Sequence, residues 1–206
     1  MTAVKICGMR SARDLESCRR ADLLGFVVSA RSPRNLDLNV ARTLMSSCDN
    51  LRAVVTTETD RTALKGLVSF LEPDVLQLHV PLDEGLLEFA SGLGTKVWGM
   101  MPVASGAVIR RRLLEHCNAL VLDTPGERAG GNGKVHDWSV SRELRDSVHP
   151  FPVVLAGGLR PENVADAIRN VTPYAVDVSS GVESGMVKDP EKVSRFIEAV
   201  KKVERS

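Results

Sequence analysis

Short apolar runs rich in Val, Leu and Ile alternate with longer segments of helical period from one end of the chain to the other. Runs of this kind, too short for a full helix, predict strands over residues 3–8, 24–29, 51–57, 74–80, 96–103, 119–124, 152–158 and 175–180. The intervening segments predict helices over 11–21, 38–47, 60–71, 83–90, 105–116, 139–146, 161–170 and 189–202. Ser105 and Ser139 are candidate N-caps, Thr59 and Asp60 offer side-chain oxygens before the third helix, and Asp189 precedes a proline that suits a first helical turn.

Eight strands, each followed by a helix, suit a closed parallel barrel or an open doubly wound sheet. The count favours the α/β barrel, the (β/α)8 TIM barrel, whose lower size limit is about 200 residues. At 206 residues the chain has room for little beyond the eight units, and no linker, low-complexity segment or charge run divides it. One domain spanning 1–206 is expected.

Side chains two apart share a face of a strand. Lys5 and Cys7 therefore lie opposite Val4 and Ile6, Gln77 and His79 opposite Leu76, Leu78 and Val80, and Asp177 and Ser179 opposite Val176 and Val178. Asp123 ends the sixth strand out of phase with Leu122. Helices cover the outside of a barrel, so the apolar set belongs outside and the polar set inside, mostly near the carboxyl end. Burying a polar group without a partner costs roughly 2–7 kcal/mol by transfer measures. Polar residues gathered there mark the place where barrel enzymes keep their chemistry. A structural reading stands beside this: Lys5 and Asp177, on the first and last strands, could form an ion pair, and His79 could be a hydrogen-bonded interior histidine.

Composition narrows the classes. Hydrophobic residues at 43% and charged residues at 26% suit a soluble globular chain with a real core. A net charge of +1 gives no overall field for nucleic acid or an anionic membrane. No stretch approaches a membrane span, and Lys5 and Arg10 interrupt any secretory apolar region, so a cytoplasmic protein is expected. Cys7, Cys18, Cys48 and Cys117 form no CxxC pair, and His79, His116, His136 and His149 are scattered. Neither a disulfide framework nor a metal site is expected.

Two Gly-rich turns, LAGGLRPENV from Leu155 and VDVSSGVE from Val176, follow the seventh and eighth strands. Those loops are the recurring phosphate site of this fold, where backbone N–H groups and the positive end of a short helix meet a dianion. Gly157, Gly158, Ser180 and Gly181 are the leading candidates, with Ser179 beside them.

These segments, with KICGM from Lys5, GFVVSARSPR from Gly25, LQLH from Leu76, LVLD from Leu120 and GGNGKVHDW from Gly130, resemble phosphoribosylanthranilate isomerase in order along nearly the whole chain. The resemblance implies an Amadori rearrangement of N-(5'-phosphoribosyl)anthranilate to the 1-deoxyribulose 5-phosphate in tryptophan biosynthesis. It requires neither nicotinamide nor metal. It implies Asp123 as general acid, Cys7 as general base and Arg34 as the holder of the anthranilate carboxylate. Lys5, Gln77, His79 and Asp177 are assigned to substrate contact, and residues 130–133 to a covering loop. A thiolate on Cys7 would need a bias, for which Lys5 is the source one pleat away. Trp138 is expected to pack on the following helix.

The chain departs from the common pattern at Val80, Asn132 and Thr56–Thr57. Two other readings remain: a histidine-pathway or dual-substrate phosphoribosyl isomerase, which expects an aspartate base on the first strand, and a non-catalytic sugar-phosphate binder. The expected partner is the small-molecule substrate, on a monomer or homodimer.

Overall fold

The computed structural model describes residues 1–124 and 135–203. Eight strands close into a parallel barrel in chain order: β1 (Ala3–Cys7), β2 (Leu23–Val27), β3 (Leu51–Thr56), β4 (Val75–Leu78), β5 (Lys96–Pro102), β6 (Ala119–Asp123), β7 (Val153–Leu155) and β8 (Ala175–Val178). Closure joins the ends of the chain: Lys5 of β1 stands level with Asp177 of β8 on one side and Leu23 of β2 on the other.

The two-residue alternation sorts the strands as the sequence predicts. Ile6, Leu24, Phe26, Leu76, Leu120 and Val176 face outward, fully buried under the helices. Facing inward, Leu23, Ala53, Val75, Trp98, Ala119, Val121, Val154, Ala156 and Ala175 form a separate apolar plug. The inner floor is therefore apolar, and the polar residues stand above it. Each fully buried aliphatic or Phe side chain contributes about 1.5–3 kcal/mol, so the outer shell carries most of the stability and leaves the mouth available for chemistry.

Among the described residues, seven α-helices surround the barrel: α1 (Ala12–Cys18), α2 (Leu38–Met45), α3 (Arg61–Leu71), α4 (Glu84–Ser91), α5 (Trp138–Val148), α6 (Val164–Val171) and α7 (Pro190–Val203). Aspartate caps dominate their starts, because a short carboxylate can reach the unpaired N–H groups of the first turn. Asp60 accepts from the Ala63 N–H, Asp83 from Leu86, and Asp189 from Glu191 and Lys192. No helix among the described residues is long and apolar enough to cross a membrane.

The structure corrects the sequence reading in several elements. The predicted helix over 105–116 is only a 3-10 helix at Arg111–His116, with no side-chain cap, and Ser105 lies in a turn before it. Gly106, at φ 76°, holds that turn in the left-handed region. Ser139 is not a cap: Asp137 occupies that place and accepts the Ser139 N–H. The helix predicted from Pro161 begins at Val164, after a turn in which the Asn163 side chain accepts the Arg160 N–H. A further element was not predicted, a hairpin of β9 (Glu183–Ser184) and β10 (Val187–Lys188) between β8 and α7. Gly185 and Met186, at φ 58° and 65°, form its turn. Two successive positive φ values match the twist of a tight hairpin.

Asp60→Ala removes the α3 cap. The expected cost is about 1 kcal/mol, read as a melting temperature roughly 2–4 °C lower for a domain of this size.

Candidate active site

The carboxyl ends of the strands surround a cavity that opens to solvent. Cys7, Arg34, Gln77, His79, Asp123, Asp177 and both Gly-rich turns line it. Lys5 lies below, fully buried.

The ion pair above the apolar floor comes from barrel closure. Lys5 Nζ donates to Asp177 Oδ2 at 2.7 Å. Burial alone would pull the ammonium down, but Asp177 and Cys7 hold it above its ordinary value. Asp177 Oδ1, Gln77 Oε1 and His79 Nδ1 are buried without a hydrogen-bond partner among the described residues. Leaving such atoms unmet costs about 1–3 kcal/mol each. A cavity edged by them suits a ligand with hydroxyl groups.

Two proton-transfer candidates share this cavity from different strands. Burial pushes the Asp123 carboxyl up, against the opposing pull of His79 and the Thr124 N–H. His79 Nε2 stands 3.8 Å from Asp123 Oδ2, beyond hydrogen-bond reach. Burial keeps the His79 ring below its ordinary value and neutral. The expected hydrogen-bonded interior histidine is therefore not found among the described residues.

Cys7 departs from the expected thiolate. Burial pushes its thiol up, and Lys5 opposes that shift without overcoming it. The physical reason is that desolvation of a buried thiolate outweighs the pull of Lys5, and the Asp177 carboxylate paired with that lysine adds to the upward shift. Cys18 and Cys117 are pushed up to about 12 and about 11 by burial, as fits inert core thiols.

The Gly-rich turns meet at the β7 and β8 ends. Gly157 and Gly158 take φ of 83° and 64°, and their N–H groups find no backbone acceptor among the described residues. A side chain at Gly157 would run into Thr124, and one at Gly181 would overlap the Leu159 carbonyl. The two turns therefore pack backbone to backbone, which keeps Ser180 and Gly181 beside Gly158 at the cavity wall. Ser179 lines the same wall. Its hydroxyl donates to the Cys7 carbonyl at 3.0 Å, so it ties β8 to β1.

Arg34 is buried at the cavity edge, 8% exposed, rather than free in solvent. Its Nε and Nη2 donate to Glu183 Oε1 and Oε2 at 2.9 and 2.6 Å. That carboxylate uses the Nε–Nη2 edge of the guanidinium, and Nη1 has no hydrogen-bond partner among the described residues. Gly8, at φ 88°, leaves room for the arginine stem, since a Cβ there would lie 2.5 Å from Arg34 Cδ.

Glu183 and Lys188 escaped the sequence reading, although Glu183 stands inside a motif it quoted. Burial would raise the Glu183 carboxyl, but Arg34 and Lys188 bring it down to about 2. The available signal was two opposite charges flanking a Ser-Gly turn. A second missed group bridges the β6 end to α5: Thr124 Oγ1 lies 2.9 Å from His136 Nδ1, whose Nε2 lies 2.6 Å from Ser141 Oγ. Trp138 packs against the outer core, as expected. The expected loop at 130–133 and Asn132 lie outside the described residues. Thr56 and Thr57 both donate to the Ser29 carbonyl, which explains hydroxyls at the β3 end.

Comparison with known proteins places this geometry. The family model for N-(5'phosphoribosyl)anthranilate (PRA) isomerase matches residues 4–199. An N-(5'-phosphoribosyl)anthranilate isomerase of Methanothrix thermoacetophila is 40% identical over 209 residues, 98% of this chain and 99% of that protein. The phosphoribosyl anthranilate isomerase structure from Thermococcus kodakaraensis superposes with a TM-score of 0.81 at 31% identity, covering 98% of this chain and 99% of that one. A phosphoribosyl anthranilate isomerase solved with reduced 1-(o-carboxyphenylamino)-1-deoxyribulose 5-phosphate superposes with a TM-score of 0.79 at 30% identity, covering 98% of this chain and all of that one. The match runs through every strand of the barrel and both turns at its mouth, and the chain belongs to the N-(5'-phosphoribosyl)anthranilate isomerase family.

Proposed function

We propose that this chain converts N-(5'-phosphoribosyl)anthranilate to 1-(2-carboxyphenylamino)-1-deoxyribulose 5-phosphate, the Amadori step of tryptophan biosynthesis. The observation that carries the reading is one cavity lined by a thiol from β1, a carboxyl from β6 and the paired turns after β7 and β8. The turns offer N–H groups to the phosphate, as this fold does elsewhere. At the other side, the outer edge of Arg34 suits the anthranilate carboxylate.

In this reading Asp123 protonates the furanose ring oxygen. The anilino nitrogen supplies the electron pair that breaks the C1–O bond, leaving a protonated Schiff base. The Cys7 thiolate then removes the C2 proton, and the C–H electrons move toward the iminium to give an enolamine. Return of a proton to C1 and collapse at C2 give the ketone. Hydrogen has moved from C2 to C1, and no external electron acceptor is consumed. Asp177 and Gln77, with their unmet oxygens, suit the sugar hydroxyls.

The proton inventory has a consequence. Burial raises both groups, Cys7 from an ordinary value of 9.0 and Asp123 from 3.8. The productive arrangement, thiolate with carboxylic acid, is a singly protonated form of the pair. The activity of such a pair falls only when its last proton leaves, which is the proton of the higher-pKa group.

The assay is the loss of anthranilate fluorescence on mixing substrate with protein. Cys7→Ser and Asp123→Asn are each expected to lower kcat by about 10²–10⁴-fold, and wild-type turnover in either would reverse the assignment. Across a pH series, kcat/KM should show no falling limb below pH 9; one near neutrality would mean that another group loses the decisive proton. Arg34→Ala should act mainly on KM, raising it about tenfold or more for the loss of a charge-assisted contact, and an unchanged KM would move the carboxylate site elsewhere.

A further inference from the structure

At the carboxyl ends of β1 and β8 lies a polar cluster that none of the proton-transfer steps uses. Lys188 is 1% exposed, and Glu183 and Asp14 are also buried. Lys188 Nζ donates to the Cys7 carbonyl at 2.6 Å, the Ser179 carbonyl at 3.2 Å and Glu183 Oε1 at 2.6 Å. An ammonium has three donors, and these three acceptors match them. Each leads to a different part of the site. Cys7 is the proposed base. Ser179 opens the turn after β8 and bonds back to the Cys7 carbonyl. Glu183 holds Arg34 by two parallel bonds.

The hairpin that carries this lysine is itself anchored. The Lys188 N–H donates to Asp14 Oδ1 at 2.9 Å, while Asp14 Oδ2 accepts the Arg10 N–H from the loop after β1. Ladder bonds of β9 and β10 keep Glu183 level with Lys188. The ammonium is thus fixed from the hairpin side and reaches the β1 and β8 ends together.

We propose that Lys188 and Glu183 are positioning residues for the isomerase site: Lys188 sets the β1 and β8 ends, and Glu183 aims the outer edge of Arg34 at the substrate carboxylate. The proposal rests on the isomerase reading for the identity of that carboxylate. Its physical basis is geometric. A guanidinium on a flexible stem gains a fixed plane when a second carboxylate takes one of its edges in a fork. Without Glu183 the arginine keeps its charge and loses its aim. Without Lys188, two buried carbonyls lose their shared donor and Glu183 loses its second tether.

Two ligands separate these roles from general loosening. Reduced 1-(o-carboxyphenylamino)-1-deoxyribulose 5-phosphate carries both the anthranilate carboxylate and the phosphate; ribulose 5-phosphate carries only the latter. Binding of each is measured by calorimetry on the whole chain, alongside kcat and KM. Glu183→Gln is expected to weaken the first ligand at least tenfold and the second less than threefold, with KM rising far more than kcat falls. Lys188→Met is expected to weaken both at least tenfold and to lower kcat as well.

Equal losses on the two ligands in Glu183→Gln would overturn the aiming role, and so would no loss on either. Binding and kcat within threefold of wild type in Lys188→Met would overturn the role of the lysine. If Glu183→Gln does not fold, Glu183→Asp replaces it: one methylene shorter, it cannot span both cations, and the same contrast between ligands is expected. Absence of turnover in the wild-type chain would sink the isomerase reading alone, because the binding contrast does not depend on chemistry.

Discussion

Closure of β8 onto β1 is the constraint on which the site depends. Strands far apart in the chain are brought level, so that Lys5 meets Asp177 at 2.7 Å inside the barrel. A buried pair of this kind is weak evidence for stability, because desolvation of both ions offsets most of their attraction. Its consequence here is chemical. It pairs the nearest cation to Cys7, so burial decides the state of that thiol. The same closure puts the Ser179 hydroxyl on the Cys7 carbonyl and lets Lys188 hold the ends of both strands.

The barrel separates stability from chemistry by layer. Outward side chains pack under helices and are almost wholly apolar; inward side chains are apolar at the floor and polar at the mouth. Because the floor is filled, the polar residues above it cannot sink into the barrel and must face the cavity. Desolvation there raises Asp123 and Cys7 together while keeping His79 neutral. One effect thus raises the carboxyl and the thiol and lowers the neighbouring imidazole.

Charge in this site is organised in pairs that leave one side open. Asp177 uses one oxygen on Lys5 and has its other without a partner among the described residues. Arg34 uses Nε and Nη2 on Glu183, and its Nη1 has no partner among the described residues. Pairing on one side restricts rotation, and restricted rotation is what makes the open side selective. The additional hairpin of β9 and β10 makes this possible for Arg34, since it supplies both Glu183 and Lys188.

The alternation of strands and helices was legible because burial on two faces of a barrel strand obeys a period of two, and a helix obeys one near four. That periodicity placed Lys5, Cys7, Gln77, His79, Asp123 and Asp177 inside before any coordinate. It failed at 105–116, where apolar residues recur without a cap and the chain forms only a short 3-10 helix. It was silent about Glu183 and Lys188, because strands of two residues carry no period to read. Sequence by itself thus determined the barrel, its polar mouth and its Gly-rich turns, each a local pattern. Only tertiary structure decided which charge pairs with which: that Arg34 is held by Glu183, that Ser179 serves Cys7, and that burial outweighs Lys5 at the thiol. Those outcomes depend on distances between residues up to 181 positions apart, which no local pattern encodes.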